Sequence, residues 1–144
     1  FKTAYEAQPF TKGKPKRGDI LFSKTGSIGH CAEVVTDEPF AVSQNAARLR
    51  FNESRILSTF ALHYLRSSYV QTLANSLAKG NAVRDLQLGD MKTIPIYQPP
   101  IATQRKFVEV VRKTESLKKR LGVAAESTSS LFNSLVQRAF RGEL

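Results

Sequence analysis

The fold is decided by residues 19–35, which read DILFSKTGSIGHCAEVV. This stretch contains two short apolar runs, residues 20–23 and 32–35, on either side of a connection that carries two glycines. Short apolar runs bounded by turn-forming residues are typical of β-strands, and glycine gives a tight connection the backbone freedom it needs. The stretch therefore predicts two strands joined by a glycine-containing turn.

The residues that follow predict both strands and helices. Residues 40–51 have the mixed alternation of further strands, and Ser54 then precedes apolar residues at helical spacing as the predicted N-cap. A second helix is predicted from Val70 to a loop at residues 79–85. Residues 94–97 predict a short extended segment, which its proline confines to the edge of a sheet. The first part of the chain is therefore predicted to be a small mixed α/β domain.

The end of the chain differs from the rest in its proline and glycine content. All 6 prolines and six of the 8 glycines lie before residue 101. Since these residues interrupt regular structure, their distribution places a domain boundary at Pro99 and Pro100. We therefore expect two domains, residues 1–100 and residues 101–144.

The second of these domains carries an apolar stripe on a heptad frame, which is typical of one face of a long helix. An unbroken helix over residues 103–141 extends about 58 Å at about 1.5 Å per residue, whereas a domain of about 100 residues has a radius of gyration near 13 Å. Much of the stripe would then need a second helix to cover it. The stripe consists of Phe107, Val110, Leu117, Leu121, Ala124, Leu131 and Leu135.

Gly122 offers an alternative to one continuous helix. A glycine in a helix interior costs about 1 kcal/mol relative to alanine. A break at this position would fold the tail into a hairpin with residues 125–130 as its turn, and the stripe would be buried within one chain. Composition leaves both arrangements open.

Composition and motifs restrict the class of protein. The 144 residues include 22 Lys or Arg and 12 Asp or Glu, which gives a formal net charge of +10, and 41% of the residues are hydrophobic. No apolar run reaches the roughly 18 residues of a membrane span. One cysteine excludes an intramolecular disulfide, and no signal peptide is evident, so we expect a soluble cytoplasmic protein.

Motifs for catalysis and metal binding are absent from the sequence. It contains no GxxxxGK[ST], GxGxxG, HExxH or GxSxG pattern. His30, Cys31 and His63 lack the paired spacing of a structural zinc site, and we interpret them as ordinary residues. We therefore expect no catalytic residues, no metal and no cofactor.

Basic and polar side chains in three loops and near one predicted strand are the candidate DNA contacts. Residues 12–17 hold four positive charges without an intervening acid, and such a segment suits phosphate oxygens, although a charged segment is more often simply solvated. The other candidates are donors of the kinds that bind phosphates and base edges. The full set is Lys12, Lys14, Lys16, Arg17, Lys24, Ser27, Arg48, Lys79, Asn81 and Arg84.

Four segments of the chain occur in the order of a known family. They are residues 16–29 (KRGDILFSKTGSIG), 61–67 (ALHYLRS), 86–105 (LQLGDMKTIPIYQPPIATQR) and 134–144 (SLVQRAFRGEL). Together they resemble the DNA specificity subunit of Type I restriction-modification enzymes. The similarity covers the distal part of a target recognition domain and one spacer helix. Thr103 departs from the family pattern, which usually has an acidic residue before Gln104.

The resemblance implies an α+β fold, in which a small target recognition domain precedes a long helix that forms an antiparallel coiled coil with a second helix. It favours a continuous helix over the break at Gly122. It also implies a subunit without an active site, which reads one half of a bipartite site in double-stranded DNA and docks methylation and restriction subunits. A homodimer through the C-terminal helix would supply the second half-site; otherwise the chain is one half of a two-domain subunit.

A second hypothesis comes from a different class of protein. The predicted helix is rich in lysine and arginine, with few acidic residues to balance them. Such a helix also suits an interaction scaffold that binds acidic protein partners without reading DNA. The salt dependence of DNA affinity distinguishes the two hypotheses.

Overall fold

A computed structural model describes residues 14–140 of the chain, with side chains through Gln137. The described part is α+β, as the sequence predicted, and ends in a long helix. The chain divides into two compact units, Phe1–Arg105 and Lys106–Leu144. Its elements are β1 (Ile20–Ser23), β2 (Cys31–Glu33), β3 (Ala46–Leu49), α1 (Ser58–Leu65), α2 (Ser68–Leu77), α3 (Leu88–Met91) and α4 (Ile101–Phe140).

The three strands form one antiparallel sheet with the order β2-β1-β3. Phe22 of β1 lies opposite Cys31 on one side and Ala47 on the other. Because side chains alternate along a strand, Ile20 and Phe22 point into the core. Helices α1 and α2 contribute buried residues to the same core. The central strand is therefore covered by helices on one face.

The predicted turn between the first two strands is confirmed. Gly26 and Gly29 both have positive φ angles, +73° and +97°. A Cβ atom on Gly29 would lie 2.0 Å from Oε1 of Gln71. The same Gln71 amide donates to the Gly29 and Leu65 carbonyls at 2.9 and 2.7 Å. Glycine is favoured at this position because the positive φ strains residues with a Cβ atom, and a Cβ atom would also displace the Gln71 amide from these hydrogen bonds.

The start of α1 corrects the predicted N-cap. The helix begins at Ser58, and Ser54 instead donates its hydroxyl to Oδ1 of Asn52 at 2.7 Å. The N–H of the capping residue, Leu57, donates to Oε1 of Gln104 at 2.9 Å. A side chain that is distant in sequence therefore binds one backbone donor at this helix terminus, and the local pattern contains no sign of it.

Gln104 is fully buried and uses both ends of its amide. Its Nε2 donates to the carbonyls of Pro99 and Arg55 at 2.7 and 2.9 Å. With the Leu57 contact, two hydrogen bonds hold the loop before α1 against the first turn of α4, and the third, to Pro99, joins that turn to the residues just before it. A buried amide is tolerated in a protein interior because its polar atoms are bonded in this way.

Three other local predictions differ from the structure. Residues 40–51 contain one strand, the four-residue β3. Residues 94–97 have no regular secondary structure, and Leu88–Met91 forms a short helix that the sequence did not indicate. Segments this short have too few residues for a periodic pattern to emerge.

Helix α4 is continuous over 40 residues, which corresponds to about 60 Å. It passes through Gly122 without a break, so the hairpin alternative is wrong. The apolar stripe lies on this helix, and Leu121, near its middle, is 69% exposed. The other large members of the stripe are also exposed: Phe107, Val110, Leu117, Leu131 and Leu135.

Candidate nucleic-acid interface

The structure brings the candidate DNA-binding residues together in two groups at opposite ends of β1. The first, called the Asp19 group, consists of residues 14–17 with Arg48 and Arg50 around Asp19. The second, called the loop pair, consists of residues 24–29 and 79–87 around Asp85. Asp19 and Lys24 are about 16 Å apart at about 3.3 Å per residue. Lys12 lies outside the described residues.

The Asp19 carboxylate is the centre of the first group, and its side chain is only 2% exposed. Nε and Nη2 of Arg50 donate to its two oxygens, both at 2.6 Å. The Lys16 N–H donates to Oδ2 at 2.9 Å, and Nη1 of Arg48 lies 3.9 Å from the same oxygen. A forked arginine with a second cation nearby is the arrangement that a buried carboxylate requires.

Asp19 remains charged despite its burial. Burial raises the pKa of its carboxyl, but the hydrogen bonds of Arg50 and the Lys16 N–H, with the charges of the two arginines, outweigh that effect. The pKa of Asp19 therefore lies below its usual value. The charged carboxylate holds β1, the end of β3 and the segment before β1 together.

The basic segment before β1 is fixed at two points. Its Lys14 carbonyl accepts a hydrogen bond from Nη1 of Arg48 at 3.0 Å, and the Lys16 N–H is held by Asp19. Arg17 forms an exposed ion pair with Asp37 at 2.8 Å, and its hydrogen bond lowers the pKa of Asp37. Exposed ion pairs contribute little stability, so this arginine can exchange its partner for a phosphate at little cost.

The loop pair is held together by its backbone. Lys79 and Asp85 exchange two backbone hydrogen bonds, at 2.8 and 3.0 Å, which close the second loop. The Gly26 N–H donates to the Arg84 carbonyl at 2.9 Å, and the Leu86 N–H donates to the Lys24 carbonyl at 2.7 Å. These bonds fasten the two loops side by side, although about 60 residues separate them in sequence.

The Asp85 carboxylate reinforces this junction. It accepts hydrogen bonds from the Thr25 hydroxyl, from Nζ of Lys24 at 3.0 Å and from the Gln87 amide. The Thr25 bond, followed by that of Lys24, lowers the pKa of Asp85 despite partial desolvation. The Lys24 side chain is only 20% exposed, and its ammonium group forms an ion pair with this carboxylate.

Two further predicted contacts in the loop pair also have partners. The Arg84 guanidinium donates to the carbonyls of Asn75 and Ala78 at the end of α2. Nζ of Lys79 lies 3.0 Å from Oδ2 of Asp90, at a largely exposed position. The side chains of Ser27 and Asn81, in contrast, are exposed and have no hydrogen bond or ion pair within residues 14–140.

Sequence reasoning missed the two carboxylates that organise these groups. Asp19 follows Lys16 and Arg17, and Asp85 follows Arg84, so each is a single acid beside basic residues in a basic chain. This isolated position among basic residues was the feature of the sequence that could have indicated an ion pair. Their partners at Arg50 and Lys24 are far away in sequence, and only the folded chain shows the pairing.

The described residues contain neither a candidate metal site nor a candidate membrane span. Across 14–140, no three His, Cys, Asp or Glu residues lie together in a way that would hold a metal ion. In the same range, no helix is both long and apolar enough to cross a membrane.

Burial raises the pKa of the Cys31 thiol, although the nearby Arg66 opposes this effect.

Several proteins are similar to this chain. It is 28% identical over 139 residues to the Type I restriction enzyme EcoBI specificity subunit of Escherichia coli, covering 94% of this chain and 29% of that protein. It is 25% identical over 103 residues to a putative type I restriction enzyme specificity subunit of Haemophilus influenzae, covering 72% of this chain and 26% of that protein. The chain thus spans less than a third of the curated relatives it matches.

A solved structure shares the fold. The S subunit of a Type-I restriction-modification system from M. genitalium superposes with a TM-score of 0.57 at 17% identity, over 74% of this chain and 28% of that one. The family model described as the Type I restriction modification DNA specificity domain matches residues 2–122. This match extends over most of the chain and confirms the resemblance seen in the four sequence segments. The chain belongs to the Type I restriction-modification DNA specificity family.

Proposed function

We propose that the chain reads one half of a bipartite DNA sequence and docks the methylation and restriction subunits of a Type I system. The family match carries this proposal, and the two groups of donors at the ends of β1 support it. The chain itself contributes recognition and no catalytic residue, so chemistry on DNA depends on the other subunits.

The Asp19 group is the proposed phosphate-binding surface. Its five cations, Lys14, Lys16, Arg17, Arg48 and Arg50, face two carboxylates, Asp19 and Asp37, which leaves a formal charge of +3. Lys12, the other basic residue that the sequence predicted as a contact in this segment, lies outside the described residues. Such a surface positions a protein on the DNA backbone without distinguishing sequences.

Helix α4 is the proposed dimerisation element. Five large apolar residues on its heptad frame, from Val110 to Leu135, are 42% to 69% exposed. An antiparallel second copy of the helix would bury them, and the two-fold axis would place two recognition domains at a fixed separation. Each domain would then read one half of the site.

The decisive experiment measures DNA selection and salt dependence on the same protein. The full chain is incubated with a random duplex library at several salt concentrations, and bound DNA is sequenced. We expect enrichment of a defined half-site, and an affinity that falls linearly on a log–log plot against salt concentration. If no sequence is enriched and the affinity for DNA stays weak at low salt, the chain is instead a scaffold for acidic protein partners.

A further inference from the structure

The loop pair differs from the Asp19 group in its electrostatics. Its three cations, Lys24, Lys79 and Arg84, face the two carboxylates Asp85 and Asp90, which leaves a formal charge of only +1. Lys24 donates to Asp85, and Arg84 donates to the carbonyls of Asn75 in α2 and of Ala78 just after it. A nearly neutral surface with a central carboxylate gains little from phosphates, since a carboxylate repels them.

Two exposed side chains of the loop pair, Ser27 and Asn81, are uncharged and have no ion pair or hydrogen bond in the described range 14–140. Ser27 lies at the tip of the first loop and Asn81 at the tip of the second, both exposed. An asparagine amide presents one donor and one acceptor in a plane, which matches N7 and N6 of adenine in the major groove. A serine hydroxyl donates to or accepts from either kind of base.

The second loop is rigid enough to present such an amide. Gly80 has a φ of +116°, and a Cβ atom there would lie 2.3 Å from the Val83 carbonyl oxygen. The bonds between Lys79 and Asp85 close the loop immediately below its tip. A side chain on a closed loop loses less conformational freedom on binding than one on an open loop.

From these observations we infer that Asn81 reads an adenine edge and that Asp85 is a positioning residue, which holds the loop pair in the required geometry. This inference rests on the proposed function. Lys24 and Arg84, which the sequence suggested as DNA contacts, act here by fastening the loops. The two groups then have different roles: the Asp19 group binds the DNA phosphates, and the loop pair selects the base.

The experiment is selection from a random duplex library with the full chain and four variants. Asn81→Ala should lose the preference for adenine at one position and bind the parent's preferred half-site about 5- to 150-fold more weakly, which is the range for one bidentate base contact. Asp85→Ala should lose preference at the same position. Because it removes a negative charge, its affinity for random DNA should stay equal to that of the parent or rise.

The two controls match the substitutions in chemistry. Asn133→Ala removes the same amide from an exposed position on α4, and Glu38→Ala removes a carboxylate from an exposed turn. Both should keep the parent's preferred sequence. Asn81→Ala lies on an exposed loop tip, so it tests the inference even if Asp85→Ala lowers the melting temperature.

The outcomes separate the inference from the proposed function. A parent chain that enriches no sequence overturns the proposed function and the inference with it. A parent that enriches a sequence, with Asn81→Ala retaining every base preference, overturns the reading by Asn81 alone. If Asn81→Ala loses the adenine preference while Asp85→Ala keeps it, the positioning role of Asp85 is refuted.

Discussion

Replacing Leu121 with aspartate tests the proposed pairing of α4 helices. Full burial of a leucine side chain contributes about 1.5–3 kcal/mol, and Leu121 is 69% exposed in one chain, so an interface can gain about 1–2 kcal/mol from it per copy. In a two-fold dimer the substitution acts twice. The loss is then about 2–4 kcal/mol, or about 30- to 700-fold in the dissociation constant, before the cost of burying the new charge.

Analytical ultracentrifugation across a micromolar concentration series measures this change. Val123→Asp is the matched control, because it places the same charge two residues away and off the heptad stripe, at a position that is also exposed. We expect the control to stay dimeric while Leu121→Asp sediments as a monomer with unchanged helix content by circular dichroism. A parent chain that is monomeric at micromolar concentration would refute the interface. Equal behaviour of the two variants would place the interface on another face of α4.

Three further changes test other parts of the structure. Gln104→Ala should lower the free energy of unfolding by about 2 kcal/mol in urea denaturation, because it removes three hydrogen bonds and leaves the buried Pro99 carbonyl without its partner. Asp19→Asn should lower the melting temperature at pH 7 and flatten its pH dependence. The pKa of Asp19 is lower in the folded protein than in the unfolded chain, where it is near 3.9. The charged carboxylate therefore stabilises the fold at pH values above about 3.9, and this stability is lost as the pH falls through the pKa of the folded protein. A variant as acid-sensitive as the parent would contradict this. The third variant replaces the basic residues before β1 with glutamine: Lys12, Lys14, Lys16 and Arg17. The slope of log affinity against log salt concentration should flatten by about 0.9 for each phosphate that the protein no longer neutralises, without a change in the selected sequence. An unchanged slope would place these residues away from the DNA.

The local elements of this fold were predictable where their signals were strong. Residues 19–35 predicted two strands and a glycine turn, because apolar runs and glycines occur together there. The heptad stripe predicted a long helix, but the residues alone did not decide between a helix and a hairpin at Gly122. A single glycine costs about 1 kcal/mol, which the helix-forming residues on both sides can offset. The family resemblance favoured the continuous helix that the structure shows.

The features that escaped prediction depend on contacts between distant residues. At the start of α1 the Leu57 N–H donates to Gln104, which lies 47 residues away, whereas the local sequence suggested Ser54 as the cap. Likewise, the sequence suggested that Lys24 is free to donate to DNA, whereas in the structure its ammonium group donates to Asp85. A sequence pattern identifies residues that are able to bind DNA, but the pairing of each charge is decided by the tertiary structure.

The closed second loop bears on how such a protein acquires new specificities. The bonds that hold the loop involve Lys79, Arg84 and Asp85, whereas residues 81–83 at its tip are exposed. The part that supports the loop and the part that faces outward are therefore separate. Under the proposed function, substitutions at the tip would alter the surface offered to DNA while the hydrogen-bonded base of the loop stays intact. If the proposed reading of DNA holds, a new target would require the exchange of only these three residues, with the hydrogen-bonded base of the loop unchanged.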